Sequence, residues 1–125
     1  MPAPRLKRRA DFVRVARTGK SRREPGLVLQ TAPRPPEALD AAPSGTPRVG
    51  ITATRRIGGA VSRNRAKRRL RALADQILAD RAQPDKDYVL IARNGTLTRS
   101  YADLTSDLLR ALAKLGELKS GDPRT

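Results

Sequence analysis

Eight cationic side chains and no acid fall between residues 55 and 71: Arg55, Arg56, Arg63, Arg65, Lys67, Arg68, Arg69 and Arg71. On a helix, Arg65 stacks over Arg69 and Asn64 over Arg68 and Arg71, and like charges one turn apart cost an isolated helix a few tenths of a kcal/mol per pair. A partner outside the domain must therefore gain from the arrangement. The chemistry open to guanidinium and ammonium groups at this density is neutralisation of phosphates. Residues 5–23 hold nine more cations against one acid, Asp11, so these two segments carry 17 of the 27 Lys and Arg. The formal charge of +15 exceeds what solubility needs and makes a field that attracts polyanions. Asn64 adds a neutral donor and acceptor suited to a ribose hydroxyl or a base edge. A helix starting near Val61 would also turn its free N–H groups towards a phosphate.

Catalytic side chains are missing. The chain has no histidine and no cysteine, so the usual general base, thiolate nucleophile and zinc ligands are all absent. The 12 acids are scattered. Asp85 and Asp87 come closest to a carboxylate pair, and after Pro84 they read as turn and strand edge. No phosphate-cradling Gly-x-x-x-x-Gly-Lys-Ser/Thr is present. The basic N-terminus lacks a following apolar stretch, and no run of 18 apolar residues occurs, so neither a secretory signal nor a membrane span is expected. With no disulfide possible, a cytoplasmic setting is the economical expectation.

The elements that must position these groups follow from periodicity. Arg8 to Thr18 reads as a short amphipathic helix with Phe12, Val13 and Ala16 inward and Arg9, Arg14 and Arg17 on other faces. Residues 26–31 read as a strand. Residues 33–47, with five prolines, read as a long hairpin loop. Arg48 to Thr54 alternates Val49, Ile51 and Ala53 against Gly50, Thr52 and Thr54, a strand with one buried face. Val61 to Asp80 carries the stripe Ala66, Leu70, Leu73, Ala74, Ile77 and Leu78 of a second helix. Tyr88 to Ala92 is apolar throughout, as in a central strand. Asn94-Gly95 turns the chain. Ser100 caps a last helix with Leu104, Leu108, Leu112 and Leu115 on its core face, and the chain frays from Glu117. The order is α, β, β, α, β, α in an α+β sandwich. The strands at 48–54 and 88–92 should be parallel across the 61–80 helix, with a right-handed crossover by base rate. One RNA-binding domain spans 1–118, and 119–125 is a disordered tail.

The stretch Arg55-Arg56-Ile57-Gly58-Gly59-Ala60-Val61-Ser62-Arg63-Asn64-Arg65-Ala66-Lys67-Arg68 closely resembles the signature of the bacterial ribonuclease P protein component family. Asp11-Phe12, Leu27-Val28-Leu29, Val49-Gly50-Ile51 and Asp87 to Arg93 extend the resemblance over about residues 5–115. It implies an α-β-β-β-α-β-α sandwich with a small mixed sheet and a left-handed crossover, overruling the base rate. It also implies partners: a catalytic RNA and precursor tRNA, whose 5′ leader is removed endonucleolytically with magnesium held mainly by RNA and substrate. The RNA would catalyse, the protein alone would be inactive, and no further protein partner would be required. Arg55, Arg56, Arg63, Asn64, Arg65, Lys67, Arg68 and Arg71 would meet the catalytic RNA; Phe12, Ala16, Val28 and Gln30 would line the leader cleft. Where many members carry further rings, this chain has Ala16 and Gln30, so stacking on the leader is weaker here or replaced by hydrogen bonds and charge. The plain alternative for Phe12 is a core residue. Any metal site on the protein is left open.

Other readings share the charge and size. A small basic ribosomal or ribosome-associated protein would not need the Arg-Asn-Arg-x-Lys-Arg stretch after a glycine turn. A helix-turn-helix regulator would need a helix, not a strand, before residue 61. A protein-only nuclease would need activity without RNA.

Overall fold

The computed structural model describes residues 4–35 and 47–117. Most of the proline-rich 33–47 segment and the whole 119–125 tail lie outside the described residues. Helix α1 (Arg9–Thr18) is followed by strands β1 (Lys20–Glu24), β2 (Leu27–Pro33) and β3 (Arg48–Thr52). A 3-10 turn, Arg55–Ile57, leads into α2 (Ala60–Leu73), which runs on through a π turn (Ala74–Leu78) and a last turn, Ala79–Arg81. Strand β4 (Lys86–Ala92), short helix α3 (Asn94–Thr98) and α4 (Tyr101–Lys114) complete the chain. The four strands form one mixed sheet in the order β1-β2-β4-β3. β1 with β2 and β2 with β4 are antiparallel, while β3 and β4 are parallel, as expected for strands joined through α2.

Alternation sends the side chains of β2 and β4 to two different cores. Leu27, Leu29, Tyr88, Leu90 and Ala92 pack under α2 and α4, against Ala66, Leu70, Leu73, Leu104, Leu108 and Leu112. On the other face Ala32 and Val89 pack under α1 and the N-terminal segment, with Leu6, Val15 and the half-buried Phe12 and Ile91. β4 lies between β2 and β3 and is covered on both faces, which explains its unbroken apolar run. The outer edge of β3 is not left open: the Leu6 N–H donates to the Val49 carbonyl (2.9 Å) and the Val49 N–H to the Pro4 carbonyl (2.8 Å). At the opposite edge, four of the five β1 residues are exposed and two of its side chains are arginines. Charge there blunts the edge, and the lack of alternating apolar residues is why periodicity misses this strand.

Among the described residues four acids lie buried, and each is matched by cations or a phenol. Asp87, fully buried, accepts two hydrogen bonds from Arg48, Nε at 2.8 Å and Nη2 at 2.7 Å, and another from Arg14. Arg34 approaches it at 3.8 Å, and Asp11 stands 3.5 Å from Arg14. One carboxylate thereby ties α1, the end of β2, β3 and β4 together. On the far face Asp107 accepts from Arg99 (2.7 and 3.1 Å) and Arg110 (3.3 Å), and Arg110 also donates to Glu24 at 2.8 Å. Glu117 accepts from the Tyr88 hydroxyl at 3.2 Å and pairs with Lys20 at 3.3 Å.

Several sequence expectations need correcting. The inward face of α1 is Phe12 and Val15, with Asp11 and Arg14 beside them; Val13 is 41% exposed and Ala16 is exposed. Arg14 faces inward because Asp87 supplies a buried counter-charge that a hydropathy pattern cannot show. Asp87 is consequently no edge residue but the centre of an ion cluster, whereas Asp85 does sit in a turn, at φ 59°. Asn94-Gly95 opens α3 rather than a simple turn. Glu117 is held, not frayed.

Two measurements test this packing. Asp87→Asn leaves the guanidinium groups of Arg14, Arg34 and Arg48 without their shared anion, and should cost about 3–5 kcal/mol in urea unfolding; a loss below about 0.5 kcal/mol would contradict the assignment. Glu24 titrates below its ordinary value: burial pushes it up, but hydrogen bonds and charge from Arg110 and Arg22 outweigh that. Its stabilising contribution is therefore present above its unfolded pKa and fades as pH falls through the lower folded value. Glu24→Gln should lower stability at pH 7 and shrink the gap between wild type and variant as the medium is acidified below about pH 4.

Candidate nucleic-acid interface

Helix α1 packs on the sheet chiefly over β2 and β4 and leaves a cleft of about 420 Å³ on the β3 side lined by Phe12, Ala16, Gln30, Thr52, Lys7 and Arg9. Phe12 lies over Gly50: a Cβ on that residue would stand 2.6 Å from the ring. Only glycine lets the ring sit so close to β3, so the face that periodicity assigns to solvent is the seat of the aromatic side chain. Ala16 sits exposed at the rim, and Gln30 is half-buried beside it. Val28 lines the neighbouring groove instead, about 640 Å³, with Arg23, Arg55, Arg56 and Arg93 around it. Ile91 of β4 borders both hollows, so the two are neighbours on one sheet face. An apolar floor with cationic walls can take bases below and phosphates at the rim.

The second groove ends at the entry to α2. Arg55 and Arg56 are exposed on the 3-10 turn, and Gly58 follows at φ 133°, a backbone conformation that a side chain would strain. Gly59 caps α2 without a side-chain acceptor. Arg63 folds back to donate to the Gly58 carbonyl at 3.0 Å, bracing the turn. Asn64, Arg65 and Arg68 are exposed, while Lys67 and Arg71 are half-buried. Among the described residues, none of Arg55, Arg56, Arg63, Arg65, Lys67, Arg68 and Arg71 has an acid within 4.0 Å; every ion pair there belongs to Arg14, Lys20, Arg22, Arg34, Arg48, Lys86, Arg99 or Arg110.

Arg69 departs from its neighbours. It donates to the carbonyls of Thr96 (2.9 Å), Leu97 (3.1 Å) and Arg99 (2.7 Å), satisfying the free C-terminal carbonyls of α3 and fixing that helix against α2. The sequence count that groups it with the phosphate-facing residues thus includes one structural arginine. Conversely, Lys7, Arg9 and Arg23, counted in the basic 5–23 stretch but given no site there, line the hollows together with Arg93. The antiparallel register Leu27↔Ala92 and the hydrogen bond from Arg93 to the Glu24 carbonyl (2.6 Å) set Arg93 there, and that long-range pairing has no local signal.

Among the described residues no three carboxylates gather in a way that could hold a metal ion, and no helix is long and apolar enough to cross a membrane. A protein 45% identical over 115 residues, covering 92% of this chain and 84% of its own length, is the ribonuclease P protein component of Paramagnetospirillum magneticum. The component of the same name from Gluconacetobacter diazotrophicus is 43% identical, covering 91% and 92%. The solved structure of the Staphylococcus aureus RNase P protein superimposes with a TM-score of 0.69 at 27% identity, covering 90% of this chain and 97% of that one. The family model for ribonuclease P matches residues 2–116, and this chain, with its mixed four-stranded sheet and its Arg-Asn-Arg helix, belongs to that family.

Proposed function

We propose that this member of the family is the protein subunit of ribonuclease P, assembling with a catalytic RNA to remove the 5′ leader of precursor tRNA in the cytoplasm. The observation that carries this reading is the adjacency of two hollows on one sheet face: a cleft beneath α1 lies beside a groove walled by Arg55 and Arg56 of the turn that leads into α2. A single strand crossing the sheet would lay its bases over Phe12, Gln30 and Ile91. The catalytic RNA would meet Arg55, Arg56, Asn64, Arg65, Lys67, Arg68 and Arg71, with Arg63 shaping the turn between the two surfaces. Val28 belongs to the second groove, so its contact with the leader falls nearer Arg55 than Phe12. Phe12 is held by Gly50 yet only half-buried, which leaves the ring edge for a base.

The donor set supports a division of labour between protein and RNA. Glu24, Asp87, Asp107 and Glu117 are committed to internal partners, and the chain has no histidine or cysteine. These acids do not fit a magnesium site, so magnesium is assigned to the RNA and the substrate phosphates. The protein supplies charge and position, and the RNA performs the cleavage.

Purified protein without RNA should leave precursor tRNA intact, and adding the catalytic RNA should give cleavage that the protein accelerates at low magnesium. Cleavage by RNA-free protein would overturn the assignment. Arg65→Ala or Arg68→Ala should weaken assembly with the RNA by about 1 kcal/mol or more each, leaving the preference for leader-bearing over mature tRNA unchanged in the assembled complex. Phe12→Ala should do the reverse, lowering that preference by roughly 1–3 kcal/mol with near-normal assembly. The comparison requires affinities for both tRNAs on holoenzyme made with the same RNA; a loss of assembly alone in all three variants would remove the cleft from the account.

A further inference from the structure

A third surface lies away from the sheet. Between α2 and α3, Arg65, Arg68, Ala72 and Leu97 surround Tyr101 in an open depression of about 640 Å³. Tyr101 is one of only two tyrosines; the other, Tyr88, is fully buried. Tyr101 is 37% exposed, at the first position of α4 behind the Ser100 cap. The hydroxyl donates to Gln76 Oε1 at 2.6 Å, and Gln76 lies in the π turn that interrupts α2. The opposite wall is fixed by Arg69, whose guanidinium holds the carbonyls of α3. An aromatic ring oriented by its hydroxyl, over Ala72 and Leu97 and beside two arginines without acid partners among the described residues, presents a face to a flat ligand. Burial and the nearby Asp75 raise the Tyr101 pKa, so the ring is the neutral phenol at physiological pH.

We propose that Tyr101 is a stacking platform for one unpaired nucleobase of the RNA that docks on α2, with Arg65 and Arg68 holding the phosphates on either side of it. The inference rests on the reading of α2 as an RNA-docking helix and adds to it a base contact outside the Arg-Asn-Arg segment. Charge decides the occupant: two exposed guanidinium groups flank the ring, which suits an anionic strand with a flat base and repels a basic protein surface. The depression sits on the α2–α3 side, so its base belongs to the docked RNA and not to a strand crossing the sheet.

The probe is in-vitro transcribed ribonuclease P RNA, titrated with full-length protein over a salt series. Tyr101→Leu, which keeps apolar bulk but no π face, should bind about tenfold more weakly at every salt concentration, with the slope of log affinity against log salt unchanged. Tyr101→Phe should stay within about twofold of wild type, because stacking does not need the hydroxyl. Arg56→Ala, outside the depression, should weaken binding and flatten the slope. Wild-type affinity for Tyr101→Leu beside a weakened Arg56→Ala would overturn the stacking role and leave the docking reading standing. Unchanged binding in both would remove the docking reading, and the platform with it. Equal losses in the Leu and Phe variants would assign the effect to the Gln76 tether and overturn stacking. Ultraviolet crosslinking of the wild-type complex does not depend on how the variants fold: a nucleotide adduct on Tyr101 is expected, and adducts on other residues without one there would overturn the proposal.

Discussion

The buried carboxylate of Asp87 is the interaction on which the rest of the molecule depends. It sits on the α1 side of the sheet and receives Arg48 from β3 and Arg14 from α1, with Arg34 close by. A charge taken out of water this completely persists only when counter-charges and hydrogen bonds replace its hydration. These partners must therefore be in place together, and with them the angle of α1 over β2 and β4. The cleft that holds Phe12 above Gly50 is the space this angle leaves. Hydrophobic contacts alone would permit α1 to slide, since the core beneath it is small: Leu6, Val15, Ala32 and Val89.

The same principle sorts the cations of the whole chain. With 27 Lys and Arg against 12 acids, neutralisation inside the domain can involve only some of them. The fold places Glu24, Asp87, Asp107 and Glu117 in its interior and draws Arg14, Lys20, Arg48, Arg99 and Arg110 to them. What remains outward is a nearly acid-free surface along the start of α2 and around the two neighbouring hollows. Its mutual repulsion is tolerable because internal ion pairs and two apolar cores hold the scaffold, and that repulsion is relieved when a polyanion arrives.

Much of this was legible in the sequence, and the exceptions share a cause. Helix α2, the parallel strands β3 and β4 and the Ser100 cap carry local signals: a 3.6-residue stripe, a continuous apolar run and a capping serine whose hydroxyl accepts from the Asp103 N–H at 3.0 Å. The Arg-Asn-Arg segment identifies itself by composition. The inward turn of Arg14, the structural use of Arg69, the place of Glu117 and the lining of a groove by Arg93 depend on partners 27 to 97 residues away. No window of sequence contains both halves of such a contact. Strand β1, which the resemblance implied, escaped periodicity for a different reason: it is an edge strand of Lys, Ser, Arg and Glu, held by main-chain pairing to β2 rather than by a buried face.

Cations paired inside the fold and cations facing outward differ in task, although all carry the same charge. Arg22 and Arg110 are 43% and 48% exposed at the side chain yet bound to Glu24, while Arg65 and Arg68 are exposed and unpaired among the described residues. The most direct measurement is the slope of log affinity for the catalytic RNA against log salt, compared between Arg22→Ala/Arg110→Ala and Arg65→Ala/Arg68→Ala, two proteins of identical net charge. Sorting by the fold predicts a slope shallower by roughly 0.7–0.9 per lost phosphate contact in the second protein and an almost unchanged slope in the first. Equal flattening in both would mean that the RNA responds only to total charge, and would contradict the account.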